Sequence, residues 1–323
     1  MSPTDTVLRP RTSSPASLLA IAWDLAWRIA MVAAVMAGVL SLIFFPWASD
    51  APLGEKEQAE LRKYYLTAYD KAAKEDSEQD TRYVKIAEAD AQKQGVKENV
   101  QAFARTYGLA NKKVLDIGAG RGYLQDVVPN YTGLDISPSV QRFFHKPIVT
   151  ASATLMPFEA GAFDAAWTVW VLEHVPNPEA ALMEMRRVVK DGGLLYLAPA
   201  WDCPLYLAQG YPVRPYSDLA FAGKLVKASI PFQIYFSNLA KAPIRLLRYG
   251  AWRIGGAQAK FHYRRLTPNY EHYWMEDSDA VNTLDRFEAE LWFRSRGDEC
   301  LNCSGALGGW LQQNDPLIVR IHK

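Results

Sequence analysis

Three cysteines in 323 residues are too few, and odd in number, for a disulfide framework, and the scarcity suits a reducing compartment. Cys300 and Cys303 make a lone C-x-x-C with no second pair and no histidine cluster beside it, so no metal centre is expected. Charge of one sign is lacking too. Thirty-six basic residues face 35 acidic ones, for a net charge of +1, which leaves no overall nucleic-acid or acidic-tail signature. Any basic patch is therefore local. What the chain does have is apolar content, 49% against 22% charged, enough to bury a full core.

Charge is missing altogether from Ile29 to Ser49, IAMVAAVMAGVLSLIFFPWAS. A helix needs about 20 apolar residues to cross a bilayer core of about 30 Å, and 29–49 is expected to be one transmembrane helix that makes the lipid bilayer a partner. Residues 1–28 form an arm ahead of it, in which Asp24 and Arg28, four apart, can pair on one helix face. Arg9, Arg11 and Arg28 precede the run and Lys56, Arg62 and Lys63 follow it, so flanking charge does not orient it. Residues 50–110 turn to charged, alanine-rich text with sparse apolar positions, a helical stalk or cap that leans on a neighbour.

The stretch VLDIGAGRGYL, 114–124, follows an apolar strand ending near Asp116 with Gly118, Gly120 and Gly122, and a helix is expected to begin near Tyr123. Glycines there permit unusual φ angles and let a ligand touch backbone. The dinucleotide fingerprint wants its third glycine five residues after its first, and here the interval is four. The spacing D-x-G-x-G-x-G resembles the first motif of the class I S-adenosylmethionine-dependent methyltransferases. YTGLDIS (131–137), TASATLMPFEAGAFDAAWTVWVLEHV (150–175) and NPEAALMEMRRVVKDGGLLYLAPA (177–200) follow in the order that family requires, over about 90 residues in all. The resemblance implies an α/β fold with a doubly wound, mostly parallel seven-stranded sheet, Rossmann-like, with S-adenosylmethionine as cofactor. It places Asp116, Gly118, Gly120 and Gly122 around the methionine part. Asp135, nineteen residues after Asp116, would take the ribose hydroxyls beside Ile136, and Ser152 with the Ala153 backbone would take the adenine. The family often has an acid where Ser152 stands, and a neutral hydroxyl accepts a weaker bond.

Asn177 and Pro178 open a helix that Gly192 and Gly193 are expected to end before a buried strand, LLYLA. SDAVNTLDRFEAELWFRSRG repeats Val281, Leu284, Phe287 and Leu291 at helical spacing, and DECLN and PLIVRIHK read as a terminal hairpin. The methyltransferase domain then covers 111–323, and 201–277 is an insertion leaving the carboxyl end of the fifth strand, where open α/β sheets bind ligands. Ten basic residues there against five acidic ones, with many aromatics between, suggest an acceptor lid. Within it LAKAPIRLLRYGAW sets Lys241, Arg245 and Arg248 on one helix face and Ile244, Leu247 and Ala251 on another, the pattern of a basic interfacial membrane helix. Its longest uncharged run, ASIPFQIYFSNLA, is too short to span.

Methyl transfer from an activated sulfonium needs mainly an in-line nucleophile, and a base if the acceptor carries a proton. Glu173 and His174 follow the fourth strand and are the candidate catalytic pair; Tyr270, Glu271 and His272 are rivals. The expected acceptor is amphipathic or membrane-bound, a lipid, a quinone-like ring or a polyprenyl-linked molecule, methylated by a single-pass enzyme whose domain faces the cytoplasm. A soluble small molecule or RNA acceptor, or a non-catalytic cofactor-binding scaffold in a membrane complex, are the alternatives; no RNA-stacking signature appears in the sequence.

Overall fold

A computed structural model of the chain describes residues 15–71, 82–270, 273–303 and 316–323. Helices α1 (Pro15–Ile43), α2 (Glu55–Lys71), α3 (Arg82–Lys93) and α4 (Val96–Thr106) come first. Strands β1 (Val114–Ile117), β2 (Tyr131–Asp135), β3 (Ile148–Thr150) and β4 (Phe163–Val169) then lead to α5 (Pro178–Val188) and β5 (Val189–Ala198). After these come α6 (Leu205–Ala208), α7 (Phe221–Gly255), β6 (Tyr263–Arg265), β7 (Asn282–Leu284), α8 (Arg286–Arg294), β8 (Glu299–Cys300) and β9 (Leu317–Arg320). Seven strands form one sheet in the order β3-β2-β1-β4-β5-β9-β8, parallel except for β9, which runs antiparallel to both neighbours. That is the doubly wound, mostly parallel sheet expected of the class I methyltransferase fold, with its antiparallel terminal hairpin.

Both sheet faces are covered, which is why the central strands read as apolar runs. On one face Leu115, Ile117, Leu195 and Leu197 pack against Leu182 and Met185 of α5 and Trp292 and Phe293 of α8. On the other, Val114, Trp167 and Tyr196 meet Val100, Phe103 and Ala104 of α4. Helix α4, with Ala91 of α3, thus packs into the core of the domain, more closely than a stalk or cap that only leans on a neighbour. The Asn177 side chain caps α5 by accepting from Ala180 N, with Pro178 in the first turn where its missing N–H costs nothing.

Several expectations shift. The segment 121–130 is a series of turns and bends and not a helix: only eight residues separate Gly122 from β2, and Gly122 itself takes φ 78°. Helix α5 ends at Val188, before Gly192 and Gly193, which lie within β5; a side chain on Gly193 would strike Asp164 O at 2.7 Å. The helical spacing from Val281 is split, because Asn282–Leu284 pairs with β6 and Asp285 caps α8 by accepting from Phe287 N and Glu288 N. Cys300 and Cys303 are joined in a disulfide, a single local link in a chain whose cysteine count suited a reducing compartment.

The N-terminal region differs most from its expected bounds. The arm and the apolar run are one continuous helix, with Asp24 and Arg28 paired at 2.8 Å, and it stops at Ile43, ahead of Pro46 and not at Ser49. From Leu18 to Ile43 it is long and apolar enough to cross a membrane, with only 11% of its most apolar stretch buried. It packs along α7: Gly38 faces Ala240, and the Phe45 ring just past its end lies under the Arg248 guanidinium at 4.9 Å.

The three cations of α7 do not form an outward basic face. Lys241 is bonded to Asp202 at 2.5 Å, Arg245 to Asp285 at 2.6 Å, and Arg248 to Glu288 and the Pro46 and Trp47 carbonyls. Lys241 and Arg245 are buried, as are Asp285 and Glu288. A buried carboxylate costs several kcal/mol to desolvate, and drawing the nearest cations inward is the cheapest compensation; apolar side chains are left outside. Removing one partner from such a pair is expected to cost about 3–5 kcal/mol. Asp285→Asn keeps the helix cap while removing the charge, so its thermal or denaturant unfolding should show a loss of that size; a loss below about 1 kcal/mol would mean that Arg245 does not depend on this partner.

Candidate functional site

The carboxyl ends of β1, β4 and β5 open on a cavity of about 440 Å³. One wall is the turn after β1, with Asp116, Gly118 and Gly120; facing it are Trp274, Asp277 and Asp279 from the end of the insertion and Asp90 from α3. The glycines are there because side chains cannot be. Gly118 has φ 75°, and a Cβ on it would meet the Val171 side chain at 2.2 Å. Trp170, at the exit of β4, and Asp277 hold φ of 54° and 58°, a left-handed conformation that aspartate tolerates but that is an outlier for a residue as bulky as tryptophan. Both line the cavity.

Carboxyl groups dominate the surroundings. Asp116 is 3% exposed and accepts from Tyr131 Oη at 2.8 Å; burial pushes its pKa up to about 7, against the lowering effect of the Tyr131 hydroxyl. Asp135 is raised by burial to about 6, tempered by backbone N–H groups, with Oδ2 accepting from Gly120 N at 2.9 Å and Oδ1 from Ser137 N at 2.9 Å. The second of these bonds turns the chain after β2; the first ties the glycine turn to the end of β2. Each oxygen keeps a lone pair for a further donor.

His174 lines the cavity and Glu173 lies buried beneath it, so the candidate pair divides. Glu173 Oε1 accepts from Ala200 N at 3.0 Å and stands 3.8 Å from His174 Nε2, while Oε2 has no hydrogen-bond partner. Burial lifts Glu173 to about 7 although His174 opposes the shift. His174 Nδ1 stands 3.6 Å from Asp279 Oδ2, which accepts from Tyr65 Oη at 2.9 Å. Burial pulls the imidazole pKa down, but the carboxylates of Asp279, Glu173 and Asp277 outweigh it, and the net shift is upward. Asp277 is raised to about 6 by burial, and Glu276 to about 7 by its hydrogen bond to Asp90 and by burial.

Asp116, Gly118, Gly120 and His174 therefore meet in one cavity, whereas Gly122, Asp135, Ile136, Ser152 and Ala153 lie outside its wall. Asp135, Ile136, Ser152 and Ala153 lie at or just past the ends of β2 and β3, where Ala151 N donates to Asp135 O at 2.9 Å. The Ser152 hydroxyl is shared with Thr154 Oγ1 at 2.8 Å and accepts from Thr154 N. Of the rival bases, Tyr270 stacks on Tyr64, with ring centroids 4.3 Å apart in a cluster with Leu53 and Val281; Glu271 and His272 lie outside the described residues. Asp277, Asp279 and Tyr65 were not legible as site residues, since no spacing in the sequence ties them to His174.

This donor set fits a ligand with a ribose diol and positive charge. Asp135 offers free lone pairs to a diol, and Asp116 is a buried carboxylate whose hydrogen-bond partners are neutral. S-adenosylmethionine, with its ribose, ammonium and sulfonium, matches those needs.

Known proteins lead to the same chemistry. Residues 115–197 match a methyltransferase-domain family. An uncharacterized protein of Methanocaldococcus jannaschii is 30% identical over 152 residues, 45% of this chain and 53% of that protein. A ubiquinone biosynthesis O-methyltransferase of Dechloromonas aromatica is 36% identical over 107 residues, 28% of this chain and 45% of that protein. A ubiquinone/menaquinone biosynthesis C-methyltransferase of Cupriavidus taiwanensis is 32% identical over 145 residues, 39% of this chain and 58% of that protein. The chain spans about half the length of the curated relatives it matches. The crystal structure of a Burkholderia thailandensis 1,6-didemethyltoxoflavin-N1-methyltransferase, with S-adenosylhomocysteine bound, aligns over 85% of this chain and 93% of that one, at 14% identity and a TM-score of 0.45. The glycine turn, the strand order and the matched residues 115–197 together show that the chain carries a class I methyltransferase domain of the kind that uses S-adenosylmethionine.

Proposed function

We propose that the protein methylates an amphipathic acceptor at a membrane, with α1 as a single-pass anchor and the domain on the cytoplasmic side. The observation that carries this reading is the shared cavity, with the glycine turn on one wall and His174 with the insertion's Trp274, Asp277 and Asp279 on the other. Bound there, S-adenosylmethionine supplies a methyl group already activated on sulfur. Asp116 would hold the ammonium end, the Gly118 and Gly120 backbone would let the methionine part approach, Asp135 and the Ile136 backbone would take the ribose, and Ser152 with Ala153 would border the adenine. Trp170, Trp201 and Trp274 give the acceptor flat apolar walls. His174 would take the acceptor's proton as the acceptor's nucleophilic atom gains the methyl carbon and the methyl–sulfur bond breaks, the electron pair leaving on the neutral thioether of S-adenosylhomocysteine. Asp279 orients the ring and steadies the imidazolium, and Tyr65 fixes Asp279. The quinone methyltransferases among the relatives, and the exposed apolar length of α1, support an amphipathic acceptor.

A second reading has one observation in its favour. Six carboxyl groups line the cavity, from Glu88, Asp90, Asp116, Glu276, Asp277 and Asp279, and the basic side chains among them are Arg121, itself paired with Glu88, and His174. Such a wall also suits an acceptor that carries an amine. Incubating the full chain in membranes with labelled S-adenosylmethionine and identifying the labelled extract decides between them: a methyl ether or a ring methyl fits the first reading, and an N-methyl group fits the second. No label in any fraction, with the protein intact, would remove both.

Two variants test the roles. Asp135→Asn should weaken cofactor binding about 10- to 100-fold, the size of one hydrogen bond to a charged group, in a calorimetric titration; unchanged affinity would take Asp135 out of the site. His174→Ala should lower turnover about 10²- to 10⁴-fold with little change in cofactor affinity. Because nearby carboxylates raise the His174 pKa, the neutral base is lost as pH falls through a value above about 6.5, the ordinary imidazole range. Asp279→Asn removes one of those anions, so the acid limb of kcat/KM should move to lower pH while the plateau drops. A limb that stays in place would mean that His174 is not the group being titrated.

A further inference from the structure

Helix α7 is built inside out for a protein in water. Among the residues it buries are Ser229, Gln233, Ser237, Lys241 and Arg245, a stripe recurring every fourth position and so lying along one face, with Asn238 buried beside it. Lys241 and Arg245 on this stripe meet the carboxylates of Asp202 and Asp285. Gln233, Ser237 and Lys241 also line a cavity of about 240 Å³ shared with Leu40, Ser41 and Phe44 at the end of α1. The face turned outward is apolar: Leu239 is 64% exposed, Leu247 73%, and Leu225 and Leu246 also lie open. From Ala228 to Leu247 the only charged residues are Lys241 and Arg245, both buried, so that face is uncharged for about 30 Å at 1.5 Å per residue. Lys224 and Arg253, both exposed, stand beyond its two ends.

We infer that this outer face of α7 lies in the acyl region of a bilayer, as a second embedded element beside α1. The inference rests on the reading of α1 as a membrane anchor. A lipid surface is the occupant that the charge pattern fits, because a water-facing helix keeps cations outside and leucines inside, and here the order is reversed. Continuity supports the same occupant. Gly38 faces Ala240 and Phe45 lies under Arg248, so the two helices run side by side in the same sense, and the exposed apolar surface of α1 continues into that of α7. The contact is hydrophobic, not the salt-sensitive basic one that the cation spacing suggested, since those cations point into the protein. The seam polar side chains would then lie between the bilayer and the β5 exit, on the side from which a membrane acceptor must come.

The test uses the full chain in phosphatidylcholine vesicles. Cys203 is buried and Cys300 is bonded to Cys303, so an introduced surface cysteine takes an environment-sensitive fluorophore selectively. Positions are Leu239→Cys and Leu247→Cys on α7, Val32→Cys on α1 and Glu98→Cys on α4 as a water-exposed reference. Doxyl-labelled lipid should quench the probes at 239, 247 and 32 severalfold and leave 98 bright, with no change in 1 M salt. Quenching at 32 but not at 239 and 247 would overturn the inference and leave the anchor standing; no quenching at any of the three would overturn both. Probes at 239 and 247 that are shielded from a water-soluble quencher yet untouched by doxyl lipid would assign the face to a second copy of the chain, which also overturns it.

Discussion

Buried negative charge, and how each acid is answered, organises this molecule. A carboxylate taken out of water must find donors or a cation, or take up a proton. On the α7 side Asp202, Asp285 and Glu288 are answered by Lys241, Arg245 and Arg248. At the carboxyl ends of the strands Asp116, Asp135, Glu173 and Asp279 are answered instead by Tyr131, backbone N–H groups, Ala200 N, Tyr65 and His174. The first group fixes the insertion to the domain; the second leaves a site with an appetite for positive charge.

The two groups are mechanically joined. Asp202 follows directly on Trp201, a cavity residue at the exit of β5, and its N–H donates to Leu284 O at 2.7 Å, beside Asp285. Val281 N donates to Glu173 O at 2.9 Å, and the Asn282 side chain donates to Val175 O at 2.8 Å. The segment that supplies Asp277 and Asp279 is thus stitched to the turn that carries His174. Positioning of the candidate base and seating of the long helix are consequences of the same few contacts, so the site and α7 are held in one frame.

Much of this was legible in the sequence. The D-x-G-x-G-x-G spacing, the acid nineteen residues later and the capped helix before LLYLA depend on local chemistry, and the mostly parallel sheet came with the family resemblance those motifs carry. Side-chain direction on α7 was not legible: helical spacing places Lys241, Arg245 and Arg248 on one face but cannot say which way it turns, because Asp285 and Glu288 that draw it inward lie about 40 residues further on. Asp279 was hidden for the same reason, since its link to His174 spans 105 residues. The helical reading of 281–284 failed because Val281 and Leu284 are spaced equally well for a helix and for burial in a short paired strand, and only the Asp285 cap separates the two.

The central claim is that uncompensated carboxyl groups bind a positively charged cofactor, and proton release tests it most directly. Cation binding favours the ionised form of Asp116, Glu173 and Asp277, which burial raises to about 7, 7 and 6. Titrating the full chain with S-adenosylmethionine near pH 6.5, in buffers of different ionisation enthalpy, should show protons leaving the protein and affinity rising with pH. Binding with no proton release and no dependence on pH between 5.5 and 7.5 would contradict it.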